Sequence, residues 1–371
     1  MEGIHAFQRV VNDPGSYLQA VKGKQKIIGY CCTYLPEEII FAAGVHPVRL
    51  FGTKGNIAKA DAHLQAYSCS LVRGILEEGL AGRLSYLDGM VFPHSCDSIQ
   101  RLSDIWRLNI GFTWHADVVL PVKLDTASAR EYMAAVLKKF RRDLEAWLDA
   151  PITDESLATS ITTYNKLRRL LKRIYELRSE NPALISGRDV ATIVKGSMIM
   201  RREEAAHTLE GIVQALEAQK NQSSAPQKKR LVVAGSICDH MEVYDLIEQA
   251  GGVVVWDDLC TGSRFFEGQI ALDGDPILSI ADRYTDRTIC PAKHASLTAR
   301  GDNLVQIAKE RKAGGAIFLL LKFCDPHAFD YPYMKEMLDK ENIPSILFEI
   351  EQELPSAGQL ATRFETFIEM L

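Results

Sequence analysis

The stretch KIIGYCCTYLPEEIIFAAG, residues 26–44, shows how the ordered part of the chain begins to fold. A short apolar run typical of a β-strand ends in two adjacent thiols, Cys31 and Cys32. Pro36 and two glutamates follow, a combination typical of the first turn of a helix. A strand that leads directly into a helix is the first half of a βαβ unit. We expect helices after both Pro36 and Pro291.

The same strand-then-helix order recurs in the last third of the sequence. LVVAGSICDH is β-rich, MEVYDLIEQAGG is an amphipathic helix that two glycines end, and VVVWDDLCTG is β-rich again. GGAIFLLLKFCD, followed by YPYMKEMLDKENIPSILFEIE, makes a further unit. Alternating strands and helices are typical of a parallel sheet covered on both faces. We therefore predict an α/β fold with two Rossmann-like, doubly wound parallel-sheet domains and a helical region inserted between them.

The inserted region shows helical rather than β periodicity. SAREYMAAVLKKFRRDLEAWLD and DESLATSITTYNKLRRLLKRIYELRSE place apolar residues three and four apart. We interpret the basic run of the second as a solvated helix face and not as a binding patch. AQKNQSSAPQKKR, at 218–230, has the composition of a linker. The predicted regions are an N-terminal α/β domain at 1–125, a helical region at 126–222 and a C-terminal α/β domain at 223–371.

Composition excludes several classes of function. Apolar residues make up 47% of the chain and charged residues 25%, as in ordinary globular proteins. A formal net charge of −5 gives no electrostatic reason to bind nucleic acid or an anionic membrane. The longest apolar run, GGAIFLLLKF, is too short to span a bilayer, and the N-terminus lacks a signal-peptide pattern. We expect a cytoplasmic protein without nucleic-acid or membrane partners.

The eight cysteines are unlike a disulfide framework, which a reducing cytoplasm disfavours. Burial as small apolar side chains and metal ligation are the two alternatives. Their positions favour ligation, because ligands collect where parallel strands end. The cysteines share a place at the end of a β-rich run or at a loop-to-helix junction: Cys31, Cys32, Cys69, Cys96, Cys238, Cys260, Cys290 and Cys324. C-x-x-C pairs and ferredoxin spacings are absent, so spacing permits an iron–sulfur cluster without requiring one.

Six separated motifs resemble the 2-hydroxyacyl-CoA dehydratase and benzoyl-CoA reductase family, which includes the double-cubane cluster proteins. They occur in the family's order over nearly the whole chain: GYCCTYLPEEIIFAAGVHPVRL, HSCDSIQRLSDIW, DDLCTGSRFF, DRYTDRTICPAKH, KFCDPHAFDYPYMKEML and GQLATRFETFIEML. The resemblance implies an oxygen-sensitive iron–sulfur protein built from Rossmann-like lobes and a helical part.

The resemblance also implies a ligand set. Cluster ligands shared widely in the family would be Cys32, Cys69, Cys96 and Cys324, whereas double-cubane members also have cysteine at the positions of Cys260 and Cys290. Because all six are present, two alternatives remain. One is a single [4Fe-4S] cubane with three thiolates and an open iron, and the other is a double cubane with six thiolates. Cys31 would be a spare neighbour, and Cys238 would be either a core residue or a residue that contacts a ligand of the cluster.

By the same resemblance, the chain would be one subunit of an acyl-CoA dehydratase or of a benzoyl-CoA-type reductase of anaerobic metabolism. An ATP-hydrolysing iron–sulfur activator would supply a single low-potential electron, and the acyl-CoA substrate would form a thioester ketyl radical. The sequence has no G-x-x-x-x-G-K-[ST] motif, so ATP dependence would reside in that partner. The other partner would be a homologous sister subunit or a second copy of the chain. Two alternatives are a homodimeric double-cubane reductase of small molecules and a non-catalytic electron-relay subunit.

Several polar residues lie beside the motif cysteines. His94 and His327 are candidate general acids or bases, although a hydrogen bond to a neighbouring group or a helix cap is the commoner role. We expect Asp97 and Asp325 to be helix N-caps. Arg264 and Lys293 are expected either to bind a CoA phosphate or to be exposed to solvent.

Overall fold

The computed structural model describes residues 1–111, 114–220, 228–287 and 290–371. The strands are β1 (Ile27–Tyr30), β2 (His46–Arg49), β3 (Gly89–Pro93), β4 (Trp114–Val118), β5 (Lys229–Gly235), β6 (Gly252–Asp258), β7 (Gly315–Leu321) and β8 (Ser345–Ile350). The helices are α1 (Glu2–Asn12), α2 (Pro14–Lys22), α3 (Glu37–Ala42), α4 (Ser70–Leu80), α5 (Asp97–Asn109), α6 (Ala127–Leu148), α7 (Asp154–Glu180), α8 (Gly187–Ser197), α9 (Arg202–Gln219), α10 (Glu242–Gln249), α11 (Ser263–Phe266), α12 (Pro276–Asp286), α13 (Ala299–Glu310), α14 (Asp325–Lys340) and α15 (Ala357–Glu369).

The strands form two four-stranded sheets with the same topology. Their orders are β2-β1-β3-β4 and β6-β5-β7-β8, and every pairing is parallel. The runs of apolar residues in β1, β6 and β7 are buried along their whole length, as expected for parallel strands covered on both faces. The predicted α/β class with two parallel sheets is confirmed.

The identical strand orders place a topological switch point in each sheet. The chain leaves β1 toward β2 on one side and returns to β3 on the other, and β5 stands in the same relation to β6 and β7. At such a point the connections diverge and leave a crevice outside the carboxyl ends of the strands, where α/β proteins bind their ligands. The described part of the chain therefore has two such crevices, at the ends of β1 and β3 and of β5 and β7.

Helices α6 to α9 lie between the two sheets in sequence. The long α7 packs against α9, against α3 of the N-terminal part and against α11, α12 and β6 of the C-terminal part. The N-terminal α1 packs against α8 and α9. Residues 221–227 of the predicted linker lie outside the described residues, as does the boundary between 222 and 223, so the division into three regions stays a prediction.

The interpretation of the basic run of α7 as a solvated face is wrong for Arg168, and Arg178, farther along the helix, is buried as well. Arg168 is buried and forms an ion pair with Glu38 of α3. Arg178 is also buried, and its guanidinium donates to the Val254 carbonyl at 2.9 Å and contacts Glu248 at 2.7 Å. The physical reason is that α7 is covered by elements of both α/β parts, so positions that periodicity assigns to solvent meet acidic partners instead.

In the described part of the chain, we found no helix that combines the length and the apolar character needed to cross a membrane.

Candidate functional site

The first switch point carries two of the motif cysteines. Cys32 follows β1, and Cys96 follows β3 as the N-cap residue of α5. Ser95 joins the two loops, because its hydroxyl donates to the Cys32 sulfur at 3.2 Å. Ser95 and Cys32 are both buried, which shields this contact from water. Both thiols thus lie where predicted, at the carboxyl edge of the first sheet, because β1 and β3 are neighbours in that sheet.

The second switch point carries Cys324. This residue follows β7 and is the N-cap of α14, while Cys260 follows the neighbouring β6. Phe323, directly before Cys324, has a φ of 64°, in the left-handed region that non-glycine residues seldom occupy. Such a conformation costs on the order of 1–3 kcal/mol and is typical of functional sites. It makes the sharp turn from strand to helix on which the Cys324 thiol lies.

A segment of the C-terminal part reaches across to the N-terminal part and brings Cys290 with it. The Cys290 amide donates to the Tyr34 hydroxyl at 3.3 Å. His294 then continues the contact, since its amide donates to the Val122 carbonyl at 2.7 Å and its carbonyl accepts from Leu124 at 2.9 Å. The expectation of a helix directly after Pro291 is therefore wrong. The segment makes these backbone contacts instead, and the next helix begins at Ala299.

The predicted ligands lie near one another. We call them the six-thiol set: Cys32, Cys69, Cys96, Cys260, Cys290 and Cys324. Each of them interacts electrostatically with others of the set, and these interactions connect cysteines from both halves of the chain. Cys31 is fully buried beside the set, next to Cys32. Cys238 stands apart, with its thiol 3.6 Å from the His240 carbonyl and acidic neighbours instead of thiols.

Burial disfavours the ionised form of four thiols of the set. It raises the pKa of Cys69, Cys96 and Cys324, and it raises the pKa of Cys290 to about 11. Repulsion from neighbouring thiolates acts in the same direction. Deprotonating several of them together therefore requires a compensating positive charge. Iron supplies such charge and favours thiolate ligands, so the donor set fits an iron–sulfur cluster.

The spacing of the thiols is wider than a single ion requires. Across the described ranges, no three side chains of His, Cys, Asp or Glu converge closely enough to hold one metal ion. In a cubane, by contrast, each thiolate binds a different iron, so the ligands surround a larger object. The arrangement thus differs from a structural zinc site, whose four ligands meet on one ion.

Two buried cations lie against the set, which overturns the expectation that they are solvent-exposed. Lys293 is 2% exposed, donates to the Leu120 carbonyl at 3.3 Å and interacts with nearby thiols. Arg264 is also 2% exposed; it contacts the Cys260 sulfur at 3.4 Å and pairs with Asp258 at 2.6 Å. Because each nitrogen of Arg264 already donates to a protein group, this side chain is committed to the site and is not directed at a CoA phosphate.

The two candidate histidines have different surroundings. His327 is buried, and burial together with nearby arginines holds its pKa well below the usual value, so Nε2 accepts from Arg264 at 3.4 Å. His94 is partly exposed, and its Nε2 lies 2.8 Å from the Asp117 carboxylate, which also accepts from Ser103 at 2.5 Å. Both rings thus bond to protein groups, and their general acid–base role stays a prediction.

Asp97 and Asp325 are not N-caps, contrary to the expectation. Each is the first residue of its helix, and the preceding cysteine occupies the N-cap position without a side-chain capping bond. Both aspartates lie in the favourable field at a helix N-terminus, and Asp97 also pairs with Arg101 at 3.7 Å. The sequence analysis did not identify Ser95 and Asp258. Ser95 donates to the sulfur of Cys32, and Asp258 accepts from Arg264.

Comparison with known proteins identifies the family of the chain. The family model described as 2-hydroxyglutaryl-CoA dehydratase, D-component, matches residues 32–371. The (R)-phenyllactyl-CoA dehydratase beta subunit of Clostridium sporogenes is 29% identical over 98% of this chain and 97% of its own length. A benzoyl-CoA reductase subunit of Thauera aromatica is 29% identical over 91% of this chain and 87% of its own length.

A third relative is the (R)-2-hydroxyglutaryl-CoA dehydratase subunit beta of Acidaminococcus fermentans, which is 26% identical over 99% of this chain and 98% of its own length. The family predicted from the six motifs is therefore confirmed. With its two matched parallel sheets and nearly full-length similarity, the chain belongs to the 2-hydroxyglutaryl-CoA dehydratase D-component family.

Proposed function

We propose that the chain is an iron–sulfur subunit of a 2-hydroxyacyl-CoA dehydratase or a benzoyl-CoA-type reductase. The observation that carries the proposal is the six-thiol set, which gathers thiols from both halves at the carboxyl ends of the two sheets. The relatives support it, because their names describe subunits of such enzymes.

Three thiols of the six-thiol set would hold a [4Fe-4S] cluster with one open iron. Cys324 and Cys96 are offered from helix N-termini at the two switch points. When bound, the cluster would pass single low-potential electrons to the thioester, giving its ketyl radical. The protein's own part is to bury the thiols, to donate from Ser95 to the Cys32 sulfur and to place Arg264 and Lys293 close by. Hydrogen bonds, charge and exclusion of water are what set the potential of such a centre.

A second candidate is a homodimeric double-cubane reductase of small molecules. It is favoured by the inclusion of Cys260 and Cys290 in the set, since these two positions bring the number of neighbouring thiols to six. In the first function, the chain would work with a homologous sister subunit and an ATP-hydrolysing activator. In the second, it would need no sister subunit.

Turnover under strictly anaerobic conditions tests the proposal. The chain is expressed together with its homologous sister subunit, and the purified complex receives activator, ATP and either a 2-hydroxyacyl-CoA or benzoyl-CoA. We expect product only when activator, ATP and both subunits are present. Turnover by the chain without the sister subunit would instead support the double-cubane reductase. Activity that persists without ATP and activator would contradict the first proposal.

A further inference from the structure

Arg287 directly follows α12 and lies among the segments that carry three of the predicted ligands. It is buried, with 6% of its surface exposed. Its Nη1 donates to the Arg264 carbonyl at 2.9 Å, and its Nη2 donates to the Thr33 carbonyl at 3.1 Å. Thr33 directly follows Cys32, and Arg264 belongs to α11, the short helix after Cys260. One side chain therefore connects the segments of two thiols from opposite halves of the chain.

Two tyrosines extend this connection to Cys290. The guanidinium carbon of Arg287 lies 4.2 Å from the ring centre of Tyr34 and 5.1 Å from that of Tyr284, so both rings attract the cation. The Tyr34 hydroxyl accepts from the Cys290 amide at 3.3 Å, and the Tyr284 hydroxyl donates to the Leu35 carbonyl at 2.8 Å. The rings that contact the arginine thus also bond to the Cys290 backbone and to the segment after Cys32.

The chemistry of the contact explains why an arginine stands here. The carbonyls of Thr33 and Arg264 are both acceptors, so they cannot bond to each other and need a donor between them. A guanidinium carries donors on separate nitrogens of one rigid plane and stays protonated, whereas a lysine offers a single nitrogen. Because the site is buried, loss of the side chain would leave both carbonyls without their donor, and water would not readily replace it.

The three connected segments also bring their sulfurs near one another, since the Cys290 thiol interacts with the thiols of Cys260 and Cys32. We propose that Arg287 is a positioning residue that fixes these three segments relative to one another and so keeps the three thiols together before iron binds. The proposal rests on the proposed function for the role of the thiols as ligands. The holding itself is measurable on the chain without iron, so its failure is distinct from failure of the cluster assignment, which iron content decides.

Thiol alkylation of the full-length chain tests this proposal. The anaerobically purified protein is treated with an iron chelator and then with N-ethylmaleimide, and the modified cysteines are quantified over time by peptide mass spectrometry. Cys32 and Cys290 are buried, so they react when their segments open locally. Cys238 is buried outside the six-thiol set and reports opening of the whole fold in the same molecule. In the wild-type chain we expect all three to react far more slowly than in the urea-unfolded chain.

Two variants of Arg287 then test its part. Arg287→Met is expected to accelerate the alkylation of Cys32 and Cys290 roughly tenfold while Cys238 stays slow, because the lost hydrogen bonds had opposed local opening. Arg287→Lys, which keeps the charge but loses the fork, is expected to accelerate it less and is the milder change to the fold.

Arg283→Met is the matched control. Arg283 lies one turn earlier on α12, is 4% exposed and donates to three backbone carbonyls between Phe265 and Gly268, all within the C-terminal part. Its loss should leave the rates of Cys32 and Cys290 within about twofold of wild type. Unchanged rates of these two cysteines in both Arg287 variants would overturn the proposal. Equal acceleration of Cys238 in both variants, or fast alkylation of all three cysteines in the iron-free wild type, would overturn it as well.

Discussion

Cys324→Ser is expected to remove most of the bound iron and to abolish turnover. Cys324 lies at the second switch point, and its thiol interacts with Cys69, Cys96 and Cys260 of the six-thiol set. A serine hydroxyl has nearly the same shape but is a far poorer iron ligand than a thiolate. The loss should therefore appear in iron and sulfide content while the far-ultraviolet circular dichroism stays unchanged.

Two other cysteines provide matched controls for this experiment. Cys238→Ser also alters a buried cysteine that follows a strand, but Cys238 faces the His240 carbonyl, to which a serine hydroxyl can donate. Cys31→Ser alters the neighbour of Cys32. Both variants should keep their iron. Unchanged iron in Cys324→Ser would contradict its assignment as a ligand, and loss of iron in Cys31→Ser would mean that the wrong member of the opening pair was assigned.

Arg202→Met is expected to lower the free energy of unfolding by about 3–5 kcal/mol, the usual result of breaking a buried ion pair from one side. Arg202 is fully buried, and its Nη2 contacts the Glu37 carboxylate at 2.6 Å. The same carboxylate accepts from the Tyr164 hydroxyl at 2.9 Å and from Tyr30. Removing the guanidinium would leave a buried carboxylate without its cation, directly behind the loop that carries Cys32.

Urea denaturation measures this effect, and two comparisons make it specific. Arg173→Met removes a partly exposed arginine that pairs with Glu217, and it should cost less than about 1 kcal/mol, as surface pairs do. Adding Glu37→Gln to Arg202→Met should recover part of the loss, since the orphaned charge is then gone. A loss below about 1 kcal/mol in Arg202→Met, or no recovery in the double variant, would show that the pair does not stabilise the fold in this way.

The sequence alone was sufficient to predict the strands and the cysteine positions, because both depend on short-range patterns. The run GAIFLLL is short, apolar and preceded by glycine, which favours a buried strand, and a thiol three residues after it then lies at the edge of the sheet. Nothing comparable indicates which charges become buried. Arg168 and Glu38 are 130 residues apart in sequence, so the pattern around Arg168 shows a basic helix face and not its partner.

Pro291 illustrates a second limit. Proline before a helix-compatible segment predicts a helix start, but the backbone near His294 pairs with residues 122–124 instead. A cavity that Arg49 lines illustrates a third limit. Its walls come from α2, α4, the β2 segment and α8, and no local sequence motif predicts that these elements meet. Tertiary contacts outweighed local preference in these places.

Iron and acid-labile sulfide per chain, measured on anaerobically purified protein, test the central claim that the six-thiol set holds an iron–sulfur cluster. We predict about four of each per chain, the content of one cubane, for the dehydratase or reductase subunit. About eight of each would correspond to two cubanes and would favour the double-cubane reductase. Absence of iron and sulfide after anaerobic purification and reconstitution would contradict the claim and leave the thiols as buried residues of an α/β fold.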